Sequence, residues 1–140
     1  MHHFMAEQEG IPMKPRVFLQ LCDEEGRRFF GSGPYQLLQG IEELGSLRAS
    51  AQRMGMAYTK ALSLMRQAEE YLGCSLTSRY IGGKGGGGST LTDAARELMM
   101  RYEAYTAACE QSCESLFALH FASFQPACYY PDGSKRTAKR

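Results

Sequence analysis

The stretch SLRASAQRMGMAYTKALSLMRQAEEYLG, residues 46–73, decides how the rest of the chain is read. Ser46 is a capping residue ahead of Leu47, Ser50, Ala51 and Met54, which recur at helical spacing, and Gly55 stands where a left-handed residue ends such a helix. A second helix follows almost at once. Its apolar stripe is Tyr58, Ala61, Leu62, Met65, Ala68 and Leu72, while Thr59, Lys60, Ser63, Arg66 and Gln67 face elsewhere. Two helices so close in sequence, with small Ala51 and Ala61 where they would touch, describe a helix-turn-helix. An ordinary helical hairpin is the alternative, and the hydroxyl and basic residues clustered at the start of the second helix favour the helix-turn-helix.

Working outward toward the N-terminus, RVFLQLC (16–22) alternates as a strand does, DEEG supplies turn residues, and RRFF (27–30) can return as its partner. GSGP breaks that pattern. Ser32 can cap and Pro34 suits a first helical turn, so PYQLLQGIEEL forms a helix with Leu37, Leu38, Ile41 and Leu44 on one face, ended by Gly45.

In the other direction, CSLTSRYI (74–81) reads as a strand, GGKGGGG (82–88) as its turn, and STL (89–91) as the return. A hairpin after a helix-turn-helix is a wing. A phosphate loop of the GxxxxGK type needs Ser or Thr after its lysine, and Lys84 is followed by Gly85. A flexible linker is disfavoured because a capped helix resumes within a few residues. A wing tip accounts for the glycines, which let backbone amides approach a phosphate chain, and for Lys84 and nearby Arg79, which supply charge. From Thr92, a second capping residue, a long helix carries Leu98, Tyr102, Tyr105 and Cys109 in alternating steps of four and three, continuing through Cys113, Leu116, Phe117 and Phe121. A second copy of the chain is the expected cover for that stripe.

With 140 residues and 44% hydrophobic content, the chain suits one core-bearing domain of mainly α, small β class: a winged helix-turn-helix with an N-terminal β-hairpin and a long C-terminal dimerisation helix. The expected boundaries are a flexible start over 1–14, the DNA-binding domain over 15–92, the dimerisation helix over 93–124 and a basic tail over 125–140. Charge is distributed unevenly. Eight basic and four acidic residues lie between Ser46 and Arg101, against four and seven between Met1 and Gly45, so the middle of the chain can attract a polyanion although the net charge is only +1. No apolar run approaches membrane-spanning length and no secretory signal is evident, which points to a cytoplasmic protein with no membrane partner. Cys22, Cys74, Cys109, Cys113 and Cys128 are odd in number and form no CxxC, so reduced thiols are expected.

The chain from about Arg16 to Tyr105 resembles the DNA-binding domain of ModE-type molybdenum-responsive regulators, relatives of the LysR-type winged helices. The likeness rests on the GS opening the helix-turn-helix, on MAYTKAL at the start of its second helix, and on GGKGGGGSTLT leading into the last helix; the early hairpin and the GP before the first helix fit as well. It implies a homodimer that lays two recognition helices in successive major grooves of double-stranded DNA. This chain departs from the family at Ala57, where serine is usual. The family's molybdate-binding region lies beyond its DNA-binding domain, and here only a helix and tail follow, so no direct molybdate binding is expected.

The function so expected is sequence-specific transcription regulation, with Tyr58, Thr59, Lys60 and Ser63 on the front of the recognition helix. Arg48, Arg66, Arg79 and Lys84 would hold phosphates, and Leu98, Tyr102, Tyr105, Cys109, Leu116 and Phe117 would form the dimer interface. Tyr58 can equally serve the core. Two other readings remain: a metal- or thiol-responsive sensor or adaptor using Cys109, Cys113 and His120, and a sequence-tolerant architectural DNA-binding protein. Packing is favoured for the two cysteines, so no metal or other cofactor is expected. Neither is an enzyme, because His2, His3 and His120 form no constellation with a nucleophile or carboxylate pair.

Overall fold

The computed structural model describes residues 12–82, 86–126, 132 and 134. They fold in the order β1 (Gln20–Cys22), β2 (Arg28–Gly31), α1 (Ser32–Leu44), α2 (Leu47–Arg53), α3 (Tyr58–Leu72), β3 (Thr77–Tyr80), β4 (Gly88–Leu91) and α4 (Asp93–Phe121). This is a winged helix-turn-helix preceded by a hairpin.

The first hairpin is shorter than its alternating pattern suggests. β1 pairs antiparallel with β2 through Gln20↔Gly31, Leu21↔Phe30 and Cys22↔Arg28, with an irregularity between Leu21 and Cys22. Residues 16–19, expected in the strand, pair with no strand among the described residues because β2 runs straight into α1, and Phe18 is left 78% exposed. In the turn, the Asp23 carboxylate accepts the backbone N–H groups of Arg27 and Glu25 and pairs with the Arg27 guanidinium. The Arg27 amide above all holds that carboxyl below its ordinary range.

That direct passage from strand to helix also corrects the expected start of α1. Gly31, in extended geometry, occupies the cap position, and no side chain caps the helix. Ser32 is already helical, which puts Pro34 in the first turn, where a missing N–H costs nothing. The other helix ends follow the local signals. The Ser46 hydroxyl accepts the Ala49 amide at 3.0 Å, Thr92 Oγ1 accepts the Ala95 amide at 3.1 Å, and Gly45 and Gly73 close α1 and α3 in the left-handed region.

The chain divides into two compact units, residues 18–106 and residues 12–17 with 107 onward among those described. The core of the first unit consists of Phe30, Leu37, Leu38, Ile41, Ala51, Ala61, Met65, Ala68, Leu76, Leu91, Ala95 and Tyr102. Each large aliphatic or aromatic side chain buried there contributes roughly 1.5–3 kcal/mol relative to exposure. Tyr102 is only 7% exposed, packs edge-on against Phe30, and donates its hydroxyl to the Leu19 carbonyl at 2.9 Å. It therefore belongs to this chain's own core and not to a surface awaiting a second copy. Leu98 is half-buried against the same core. The boundary between the two units falls inside α4, after Thr106, about four turns beyond its Thr92 cap. In the second unit, Phe117 and Phe121 stack at 5.3 Å and Phe124 meets Phe121 edge-on. None of the described helices is long and apolar enough to cross a membrane.

Candidate nucleic-acid interface

The orientation of α3 follows from small residues. Ala51 on α2 and Ala61 on α3 are both fully buried, so neither keeps the two helices apart. Behind them, α1 and α2 meet where Gly40 faces Ser50: a β-carbon at residue 40 would overlap the Ser50 hydroxyl, which is buried and donates to the Leu37 carbonyl at 2.9 Å. Ala61, Met65 and Ala68 anchor α3 on the core, with Leu64 packed beside them. A helix so anchored turns its remaining face outward. Thr59, Lys60, Ser63, Arg66, Gln67 and Glu70 are exposed there.

Three of the four recognition-helix residues expected at DNA, Thr59, Lys60 and Ser63, lie on this open surface. Gln67, one turn beyond Ser63, shares it and was not among them; its spacing of four from Ser63 is the signal that identifies it. Tyr58 is half-buried rather than core. The Arg48 guanidinium carbon lies 4.1 Å from the centre of its ring, so two residues expected to act separately are in contact. Ala57 caps α3 with backbone only, its carbonyl accepting the Lys60 and Ala61 amides at 3.1 Å, and among the described residues no side chain makes a capping hydrogen bond there.

Ion pairing sorts the basic residues of this region. Arg53 is held by Glu43 at 2.6 Å, Arg96 by Glu42 at 2.8 Å and Arg101 by Glu97 at 2.8 Å. Each of these three has its charge compensated on the protein. Among the described residues, no carboxylate pairs with Arg48, Lys60, Arg66 or Arg79. Among the described residues, uncompensated cations thus lie on α2, α3 and the wing, and also at Lys14, Arg16 and Arg28, away from the helix-turn-helix in sequence.

The wing is an antiparallel ladder with Thr77↔Leu91, Ser78↔Thr90, Arg79↔Ser89 and Tyr80↔Gly88 in register. Its base is tied to the helical body. Ser89 N–H donates to the Gly45 carbonyl at 2.8 Å, the Thr92 hydroxyl to Ser75 at 2.8 Å, and the Leu76 amide to the Glu69 carboxylate at 2.8 Å. Two of the glycines are required by these contacts. A β-carbon on Gly88 would lie 2.6 Å from the Tyr80 hydroxyl and 2.7 Å from the Gly45 carbonyl, and one on Gly87 would overlap the Tyr80 carbonyl. The run as a whole is therefore not there only to approach a ligand. Arg79 is exposed on β3, Ile81 beside it is 97% exposed, and Lys84 lies outside the described residues.

Of the six residues expected on the dimer face, Tyr105 and Leu116 are exposed and Cys109 and Phe117 half-buried; Leu98 and Tyr102 belong to the core region instead. No group of three His, Cys, Asp or Glu side chains able to hold a metal occurs among the described residues.

No protein-family model matches the chain. Molybdenum transport protein ModE of Herbaspirillum seropedicae is 37% identical over 81 residues, 58% of this chain and 28% of that protein. Molybdenum-pterin-binding protein MopB of Rhodobacter capsulatus is 32% identical over 77 residues, 55% of this chain and 28% of that protein. The crystal structure of ArgP from Mycobacterium tuberculosis superimposes with a TM-score of 0.44 at 22% identity, covering 61% of this chain and 30% of that one. The chain spans under a third of the length of each of these proteins. The unit over residues 18–106 is a winged helix-turn-helix, with a hairpin, a helix-turn-helix and a tethered wing in that order, and more than half of the chain is similar in sequence to these two molybdenum proteins.

Proposed function

We propose that this chain is a dimeric, sequence-specific DNA-binding transcription regulator, reading base edges with Thr59, Lys60 and Ser63 and holding phosphates with Arg48, Arg66, Arg79 and Lys84. The observation that carries the reading is the sorting of charge: Arg48, Lys60, Arg66 and Arg79 are free of carboxylates among the described residues, while Arg53, Arg96 and Arg101 are each paired. Glu70, near the far end of the same α3 face, would oppose a phosphate and limits the contact to the first turns of the helix. Uncapped amides at the start of α3 suit a phosphate oxygen in place of the missing side chain. Arg and Lys contacts of this kind set the salt dependence of binding, and hydroxyl and amine contacts in the major groove set its sequence dependence.

The dimer in this reading rests on the outer part of α4, where Tyr105, Cys109, Leu116 and Phe117 present apolar surface at helical spacing without the two residues already used by the core. Direct molybdate binding by these residues is not part of the proposal. Anisotropy titration of the purified chain against duplex DNA, with light scattering alongside, tests it. Tight binding whose affinity falls steeply with salt, by a dimer, is expected. Absence of binding at low salt overturns the DNA reading, a monodisperse monomer at micromolar concentration overturns the dimer, and micromolar binding of molybdate or tungstate in calorimetry overturns the last point.

A further inference from the structure

We propose that Tyr58 is a positioning residue whose ring holds the Arg48 guanidinium as a clamp for one DNA phosphate, joining the two helices of the helix-turn-helix at a single backbone contact. The inference rests on the DNA reading above and deepens it. Arg48 stands in the first turn of α2, Tyr58 opens α3, and the guanidinium carbon is 4.1 Å from the ring centre. That distance is well within the range at which the negative face of an aromatic ring attracts a cation. The ring is half-buried and therefore fixed in place, whereas Arg48 is exposed and pairs with no carboxylate among the described residues. A guanidinium held by its face keeps its N–H edge groups free, and their planar fork matches two phosphate oxygens. Without the ring, the long arginine side chain must be ordered each time DNA binds, at an entropic cost.

The residue types make the arrangement testable. Phenylalanine retains the aromatic face, leucine retains the bulk without it, and lysine retains the charge without the planar fork. On random-sequence duplex DNA, where phosphate contacts dominate, Arg48→Ala should lower the slope of log affinity against log salt by about 1. Tyr58→Phe should behave as the parent protein, whereas Tyr58→Leu should weaken binding by roughly 2- to 5-fold. Arg48→Lys should bind more weakly than the parent despite its charge. Adding Tyr58→Leu to Arg48→Ala should cost nothing further, because the ring then has no cation to hold. In the free protein, the Arg48 side-chain protons should be shifted upfield by the ring current in NMR spectra, and the shift should vanish in Tyr58→Leu.

An undiminished Tyr58→Leu penalty in the Arg48→Ala background would overturn the clamp, as would a Tyr58→Phe protein that binds like Tyr58→Leu. Lack of the upfield shift in the free parent protein would overturn the pairing itself, whatever the DNA results. A shift present in a protein that binds no duplex at low salt would overturn the DNA reading, and the clamp with it.

Discussion

Replacing Gly40 by alanine should destabilise the domain, although Gly→Ala in the middle of an exposed helix ordinarily stabilises it. The added β-carbon would overlap Ser50 Oγ and come within 2.6 Å of Ser50 Cβ and 3.1 Å of Ser50 Cα. Ser50 cannot simply rotate away, since it is fully buried and its hydroxyl donates to the Leu37 carbonyl at 2.9 Å. Overpacking of this kind costs about 1–3 kcal/mol, and a buried hydroxyl displaced from its acceptor about 1–3 more. Alanine's better helix propensity offsets about 1 kcal/mol, leaving a net loss near 3 kcal/mol out of a typical total of about 5–15. Urea denaturation followed by circular dichroism measures it. The companion Gly40→Ala/Ser50→Gly removes the hydroxyl and Cβ from the path, so alanine at 40 should cost under about 1 kcal/mol against that background, because contacting sites are not additive. A neutral or stabilising Gly40→Ala, or an equal loss in both backgrounds, would refute the packing argument.

Tyr102→Phe deletes the hydroxyl that reaches Leu19 and should cost about 1 kcal/mol by the same denaturation assay without changing oligomeric state; a change in state would return Tyr102 to an interface. Tyr35 is pushed up to about 12, first by burial and then by its hydrogen bond to Glu103. A folded value above the ordinary 10 means that its contribution to stability is complete below that pH and lost as the pH rises through 12; spectrophotometric titration should show this late ionisation, and Glu103→Gln should bring it earlier. Arg79→Ala should weaken binding to all duplexes alike and lower the salt slope by about 1, whereas unchanged affinity would remove the wing from the DNA contact. Alanine at Thr59, Lys60 or Ser63 should act unequally across operator variants, by roughly 1–3 kcal/mol at the affected position. Equal losses on cognate and random DNA would reassign these residues to the backbone.

Local chemistry carried most of the fold into the sequence. Ser46 and Thr92 cap because each hydroxyl is placed ahead of an apolar periodicity, and Gly45 and Gly73 end helices because only they accept the left-handed geometry there. Ser32 misled for a non-local reason: whether it caps depends on where β2 stops, and pairing with β1 continues to Gly31. The outward face of α3 was legible from its stripe, which marks Thr59, Lys60 and Ser63 as exposed. What periodicity cannot convey is which of two apolar surfaces a residue joins. Tyr102 fits the α4 stripe by spacing, but its ring meets Phe30, some seventy residues earlier in the chain. The Arg48 and Tyr58 pairing and the Gly40 and Ser50 contact likewise join separate helices, and single-sequence patterns carry no record of such distances.

Selection of bound duplexes from a random-sequence DNA pool by the purified chain tests the central claim most directly, since it asks for DNA binding, sequence specificity and two-fold symmetry together. The account predicts enrichment of an inverted repeat whose half-sites are centred about 34 Å, or a multiple of that, apart. A pool that stays random while DNA is retained would leave only sequence-tolerant binding, and a pool from which no DNA is retained at low salt would contradict the account altogether.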